Sequence, residues 1–87
     1  MPQIGGEIEQ MSQLSSTFTS ECANVGELTT RIDGQVSQTW WVGPAADRFR
    51  EQWTGEFKSM LNRLQTALTD ASTEVSRRRD ALIQGGS

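Results

Sequence analysis

Cys22 is the one thiol in a chain without histidine, so chemistry by nucleophile or metal has few places to start. Ser-His-Asp and Cys-His sets cannot be assembled without an imidazole, and one thiol supplies neither a conventional zinc ligand set nor an internal disulfide. Cys22 can crosslink two chains if exposed, but its place in an apolar repeat favours packing as a small residue. Carboxylates such as Asp47 and Glu51 lie one helical turn apart, a spacing useful for acid-base work only inside a pocket. A rod of long helices offers no evident pocket, so they read as surface charges. The run Arg77-Arg78-Arg79 is too short for a basic patch in a chain of net charge −3, and Glu74 lies four residues before Arg78 in the favoured ion-pair orientation. It reads as a solvated helix end. The expectation is no catalytic residue, no cofactor and no metal.

The net charge also argues against sequence-independent nucleic-acid binding, which requires many phosphates to be neutralised. Charge is unevenly placed: residues 1–39 carry five acids against Arg31, and residues 44–87 carry six acids against seven bases. The arms are therefore −4 and +1, mildly complementary. No apolar run approaches the ~20 residues of a membrane span, and the N-terminus lacks the regions of a secretory signal. A soluble protein made in the cytoplasm is expected, with export by other routes left open.

Whatever these residues do must be positioned by two helical arms meeting at Trp40-Trp41-Val42-Gly43-Pro44. Gly43 can adopt angles that end a helix, and Pro44 suits the first turn of the next, where its missing N–H is not needed. A double tryptophan at such a corner reads as an apolar plug, so at least one of these two indoles is expected to be buried. In the first arm Ile4, Ile8, Met11, Ser15, Phe18, Cys22, Val25, Thr29, Ile32 and Val36 recur at steps of four and three, a seven-residue repeat. Such a repeat marks a seam packed at a shallow angle against another helix. Leu14 and Leu28 widen it into a second strip. The second arm shows one row through Ala46, Phe49, Trp53, Phe57, Met60, Leu64, Ala67 and Ala71, and another through Leu61, Leu68, Val75 and Leu82.

Two rows on one helix mean two neighbours, more than a lone hairpin supplies. At 87 residues a single core is marginal without added support, and a partner chain is the support left. The expected architecture is all-α: a first helix over about 6–39, a turn at 40–43, a second helix over about 44–83 and a mobile tail at 84–87. The resulting antiparallel two-helix hairpin pairs into a four-helix bundle dimer. Its hairpin or dimer interface is assigned to Met11, Leu14, Phe18, Val25, Leu28, Ile32, Phe49, Trp53, Phe57, Met60, Leu61, Leu64, Leu68 and Val75.

Trp41-Val42-Gly43, followed by Ala45-Ala46, Phe49 and Trp53, resembles the Trp-Xaa-Gly family of about one hundred residues, the Esx-like substrates of type VII secretion. The resemblance spans essentially the whole chain. It implies a hairpin that pairs, usually antiparallel, with a second one into a four-helix bundle exported in the folded state, and it implies no catalysis. It also implies that Trp41, Val42 and Gly43 act with a C-terminal motif, Tyr-Xaa-Xaa-Xaa-Asp or Glu, as an export signal. Here the acid is Asp80, the residue four before it is Ser76, and the chain has no tyrosine.

The expected function is that of a secreted protomer that relies on a second Esx-like hairpin for its tail signal and is recognised by the type VII membrane ATPase through that partner. A heterodimer is favoured and a homodimer is the alternative. A second function reading is a cytosolic adaptor covering the helical end of a larger effector.

Overall fold

The computed structural model describes residues 2–85, with side chains from Gly6 onward. Every regular element among them is helical: α1 (Pro2–Gln38), α2 (Pro44–Gln52), a π-helical segment (Trp53–Phe57) and α3 (Lys58–Gly85). The second arm is unbroken, since Gln52, Trp53 and Lys58 all keep right-handed helical angles. The hairpin is a rod of 65 × 16 × 13 Å. Contacts from Arg50 to Val36 at one end and from Arg79 to Ser12 at the other show the arms antiparallel along their length.

Helix α1 starts at Pro2, before the expected residue 6, so Gly5 lies inside it. Helix α3 runs to Gly85, so Gln84 and Gly85, assigned to a mobile tail, are helical. The expectations for the side chain of Ile4 and for Gly86 and Ser87 lie outside the described residues.

The turn is built differently from an aromatic plug. Trp40 is 93 % exposed and Trp41 45 % exposed, whereas Trp53 is only 6 % exposed. The indole that closes the corner therefore comes from the second arm, and the pair at the tip remains in water. What pins the tip is Arg50. Its guanidinium donates from Nη1 to the Trp41 carbonyl at 2.8 Å, from Nη2 to the Thr39 carbonyl at 2.8 Å and from Nε to the Val36 carbonyl at 3.4 Å. Carbonyls at a helix C-terminus have no partner within the helix, and one planar guanidinium satisfies several at once. Gly43 then reverses the chain at φ 120°, ψ 174°, a region open essentially to glycine alone. Its carbonyl accepts the first bond of α2, from Asp47 N–H at 3.0 Å.

The uninterrupted second helix also needs correction. Carried backward by sevens, the row Leu82, Val75, Leu68, Leu61 reaches Thr54 and Asp47, both polar. The π segment inserts one extra residue, and the row meets Trp53 and Ala46 instead. Both are buried, and Ala46 has no exposed surface. A single-turn π-bulge is the usual way a helix absorbs one extra residue.

The seam of α1 divides into two rows. Ser15, Cys22 and Thr29 face the second arm, while Met11, Phe18 and Ile32 turn to one side of it. Ser15 and Cys22 of the facing row bond across the rod, and the Thr29 hydroxyl donates to the Val25 carbonyl of its own helix. The Ser15 hydroxyl lies 2.9 Å from that of Ser72 and 2.8 Å from that of Ser76, and Ser72 Oγ donates to the Ser15 carbonyl at 3.0 Å. The Cys22 thiol reaches the Gln65 carbonyl at 3.4 Å and Thr69 Oγ1 at 3.3 Å, and Gln65 Nε2 donates back to the Cys22 carbonyl at 3.1 Å. Small side chains permit this approach: a Cβ at Gly26 would stand 2.8 Å from Gln65 Nε2. Cys22 is in the seam and half-buried, as a polar contact more than an apolar one.

Candidate interaction surface

Seven-residue spacing on antiparallel arms brings rows of matching phase to the same side of the rod. On α1 these are Met11, Phe18, Val25 and Ile32, with Leu14 and Leu28 in the row outside them; on α3 they are Leu61, Leu68, Val75 and Leu82, with Leu64 outside. Val25 is buried within the hairpin. The others are half-buried or exposed, including Leu14 at 47 % and Leu64 at 45 %. At the end away from the turn the rows share a side, since Met11 and Leu14 of α1 line one depression with Leu82 of α3.

At the turn end the face becomes aromatic. Trp41 packs on Phe49 with ring centroids 5.8 Å apart and planes at 44°, and Phe49 on Phe57 at 6.4 Å and 49°. These are tilted arrangements that the ring quadrupoles favour. Beside them Ile32, Gln35, Val36, Thr39, Trp41, Phe49 and Arg50 line a groove of about 180 Å³. Arg50 also lines it, with Nε, Nη1 and Nη2 each donating to a backbone carbonyl, and the groove offers mostly apolar surface. Val42 is exposed at the tip, and Met60 is exposed on the second arm.

Trp53 belongs to the inside of this construction. Its Nε1–H donates to Asp33 Oδ1 at 2.9 Å, and Lys58 Nζ lies 3.3 Å from the same oxygen. The bond from Trp53, with a second from Lys58, holds the Asp33 carboxyl below the usual carboxylate range. One carboxylate thus ties α1 to both ends of the π segment.

The C-terminal positions, one helical turn apart on α3, differ in environment. Ser76 is half-buried in the seam against Ser15, and Asp80 is exposed and paired with Arg79 at 3.0 Å. Ser76 therefore acts in closing the hairpin. Arg78 pairs with Glu74 at 3.0 Å in the exposed position that its spacing suggests, a contact of small energetic weight. Asp47 and Glu51 are both exposed. Arg50, Asp33, Gln65 and Ser72 carry much of the geometry and do not stand out in the apolar pattern. The signal that could have found two of them is their own spacing, since Gln65, Ser72 and Arg79 form a polar row at sevens.

No described helix is long and apolar enough to cross a membrane. No family model, curated protein or solved structure matches the chain, and its function is read from its own residues.

Proposed function

We propose that this chain is an interaction protein, not an enzyme: one protomer of a four-helix bundle formed with a second Esx-like hairpin and exported in the folded state by a type VII secretion system. The observation that carries the reading is the uncovered apolar face, which runs from Met11 and Leu82 to Phe49 and Trp41 on one side of the rod. Monomers rarely leave a contiguous strip of this kind in water. A second hairpin of the same length matches its shape and buries it along the whole rod. Trp41, Val42 and Gly43 supply the turn half of an export signal, presented at the tip by Arg50. The tail half comes from the partner, because Ser76 is engaged with Ser15. In an antiparallel pair the partner's chain end lies beside this tip, and the membrane ATPase reads the two together.

The test is export from a host carrying the secretion system and the candidate partner. The chain is expected in the culture supernatant, and to stay in the cytosol when the partner is deleted or its tail tyrosine is replaced. Trp41→Ala, which removes the turn half of the signal together with the end of the pairing face, is expected to reduce export. Export of this chain alone would overturn the carrier role, and a stable, cooperatively melting monomer in the partner's presence would overturn pairing.

A further inference from the structure

The outer row of α1 carries two carboxylates, Glu7 near the open end, where it lines the depression with Met11, Leu14 and Leu82, and Glu21 at its middle. Glu21 stands midway between Leu14 and Leu28, seven residues from each, in the outer row of α1. It is exposed. Its carboxylate accepts a 3.3 Å bond from Asn24 Nδ2, and none of the ion pairs among the described residues involves it. It also lies at mid-length, since α1 runs from Pro2 to Gln38. Across the hairpin it is level with Leu68, because its neighbour Cys22 reaches Gln65 and Thr69.

These positions bear on what can cover the face. Two copies laid face to face and antiparallel, with full overlap, have their two-fold axis across the rods at mid-length. That operation sets α1 over its own counterpart and brings Glu21 against Glu21 of the second copy. Two copies laid parallel set α1 over α3, and Glu21 then meets the apolar stretch around Leu68. The first arrangement opposes like charges, and the second covers a carboxylate with no cation to meet it; both disfavour self-pairing. A partner with a lysine or arginine at that level turns the same carboxylate into an attractive contact.

We propose that the apolar face selects a hairpin other than a second copy of this chain, one that carries a lysine or arginine at mid-length of its facing arm, and that Glu21 makes the selection. The inference rests on pairing through this face and names the chemistry of the partner.

The experiment uses this chain as its own surrogate partner. Sedimentation equilibrium is run on the wild type, on Glu21→Lys and on an equimolar mixture, with circular dichroism to verify that each stays helical. Glu21 is exposed, so the hairpin itself is expected to be unaffected. The mixture is expected to associate on the order of tenfold more tightly than either chain alone, the lower range of coupling between close opposite charges across an interface. Glu21→Leu is expected to tighten self-association of a single chain. A mixture within about threefold of the wild type's own Kd, with or without a gain in Glu21→Leu, would overturn the selection. The face is tested separately by adding Phe18→Ser and Leu64→Ser to both members of the mixture. If that leaves association unchanged, pairing through this face fails, whatever Glu21 does.

Discussion

The two long surfaces of this rod contrast: the seam between its arms is small and polar, and the face beside that seam is large and apolar. In the seam, Ser15, Cys22, Gln65, Thr69, Ser72 and Ser76 meet through directional bonds, each worth about 1 kcal/mol net. On the face, Leu14, Leu64 and Ile32 remain 47 %, 45 % and 39 % exposed, and each stands to gain roughly half of a full side-chain burial, about 0.6 to 1.4 kcal/mol, when covered. The hairpin's own contact thus fixes register and approach more than it stabilises. Most of the uncollected apolar stabilisation lies on the outside, available only to a partner. This division, with Val25, Ala46 and Trp53 the buried apolar residues among those described, is the physical ground for the proposed partner.

The comparison is broken most severely at Trp53, the one large side chain among the described residues that is buried inside the hairpin. Trp53→Ala is expected to destabilise the isolated chain by about 3 to 5 kcal/mol, read by chemical denaturation. An unchanged midpoint would mean that the turn end is held by Arg50 alone.

A direct contrast comes next. Ser15→Ala removes a buried hydroxyl that serves both Ser72 and Ser76, with an expected loss of about 1 to 2 kcal/mol in hairpin stability and no effect on pairing. Leu64→Ser is expected to do the reverse, leaving the melting of the hairpin nearly unchanged and weakening association. Equal effects of the two substitutions on both readouts would dissolve the distinction between seam and face.

Asp33 sharpens the picture through pH. Its carboxyl is held below the ordinary value of 3.8, first by the bond from Trp53 and then by that from Lys58. A depressed folded value means that this contribution to stability is fully present above the ordinary value and is lost as pH falls through the folded one. Acid unfolding followed by circular dichroism is expected to lose that step in Asp33→Asn, with the neutral-pH stability already lowered. A wild type and variant with parallel stability profiles below pH 4 would remove Asp33 from the account.

The smallest effect is expected at Gly34, where a Cβ meets nothing within 4 Å. Gly34→Ala is expected to stabilise α1 by about 0.5 to 1 kcal/mol through helix propensity alone, raising the melting temperature without altering association. A loss of association on this change would extend the pairing surface to a side of the rod that the apolar rows do not mark.

The amino-acid sequence by itself determined two helical arms, the break at Gly43-Pro44, and which rows are apolar. These features are local or periodic: glycine and proline act on their own backbone, and a spacing of seven places residues on one stripe whatever the stripe later meets. Only the tertiary structure decided which stripe faces inward. Ser15, Cys22 and Thr29 take the inner position over Met11, Phe18 and Ile32: the Ser15 hydroxyl and the Cys22 thiol bond across a close approach that bulky side chains prevent, and the Thr29 hydroxyl is satisfied by the Val25 carbonyl of its own helix. The same holds at the turn. Trp40-Trp41 has the composition of a plug, yet Trp53 is buried instead, because one π-helical residue shifts its phase by a fraction of a turn and Asp33 is there to accept its N–H. A phase shift of that kind leaves no mark in local propensity, since it is set by the fit of one arm against the other.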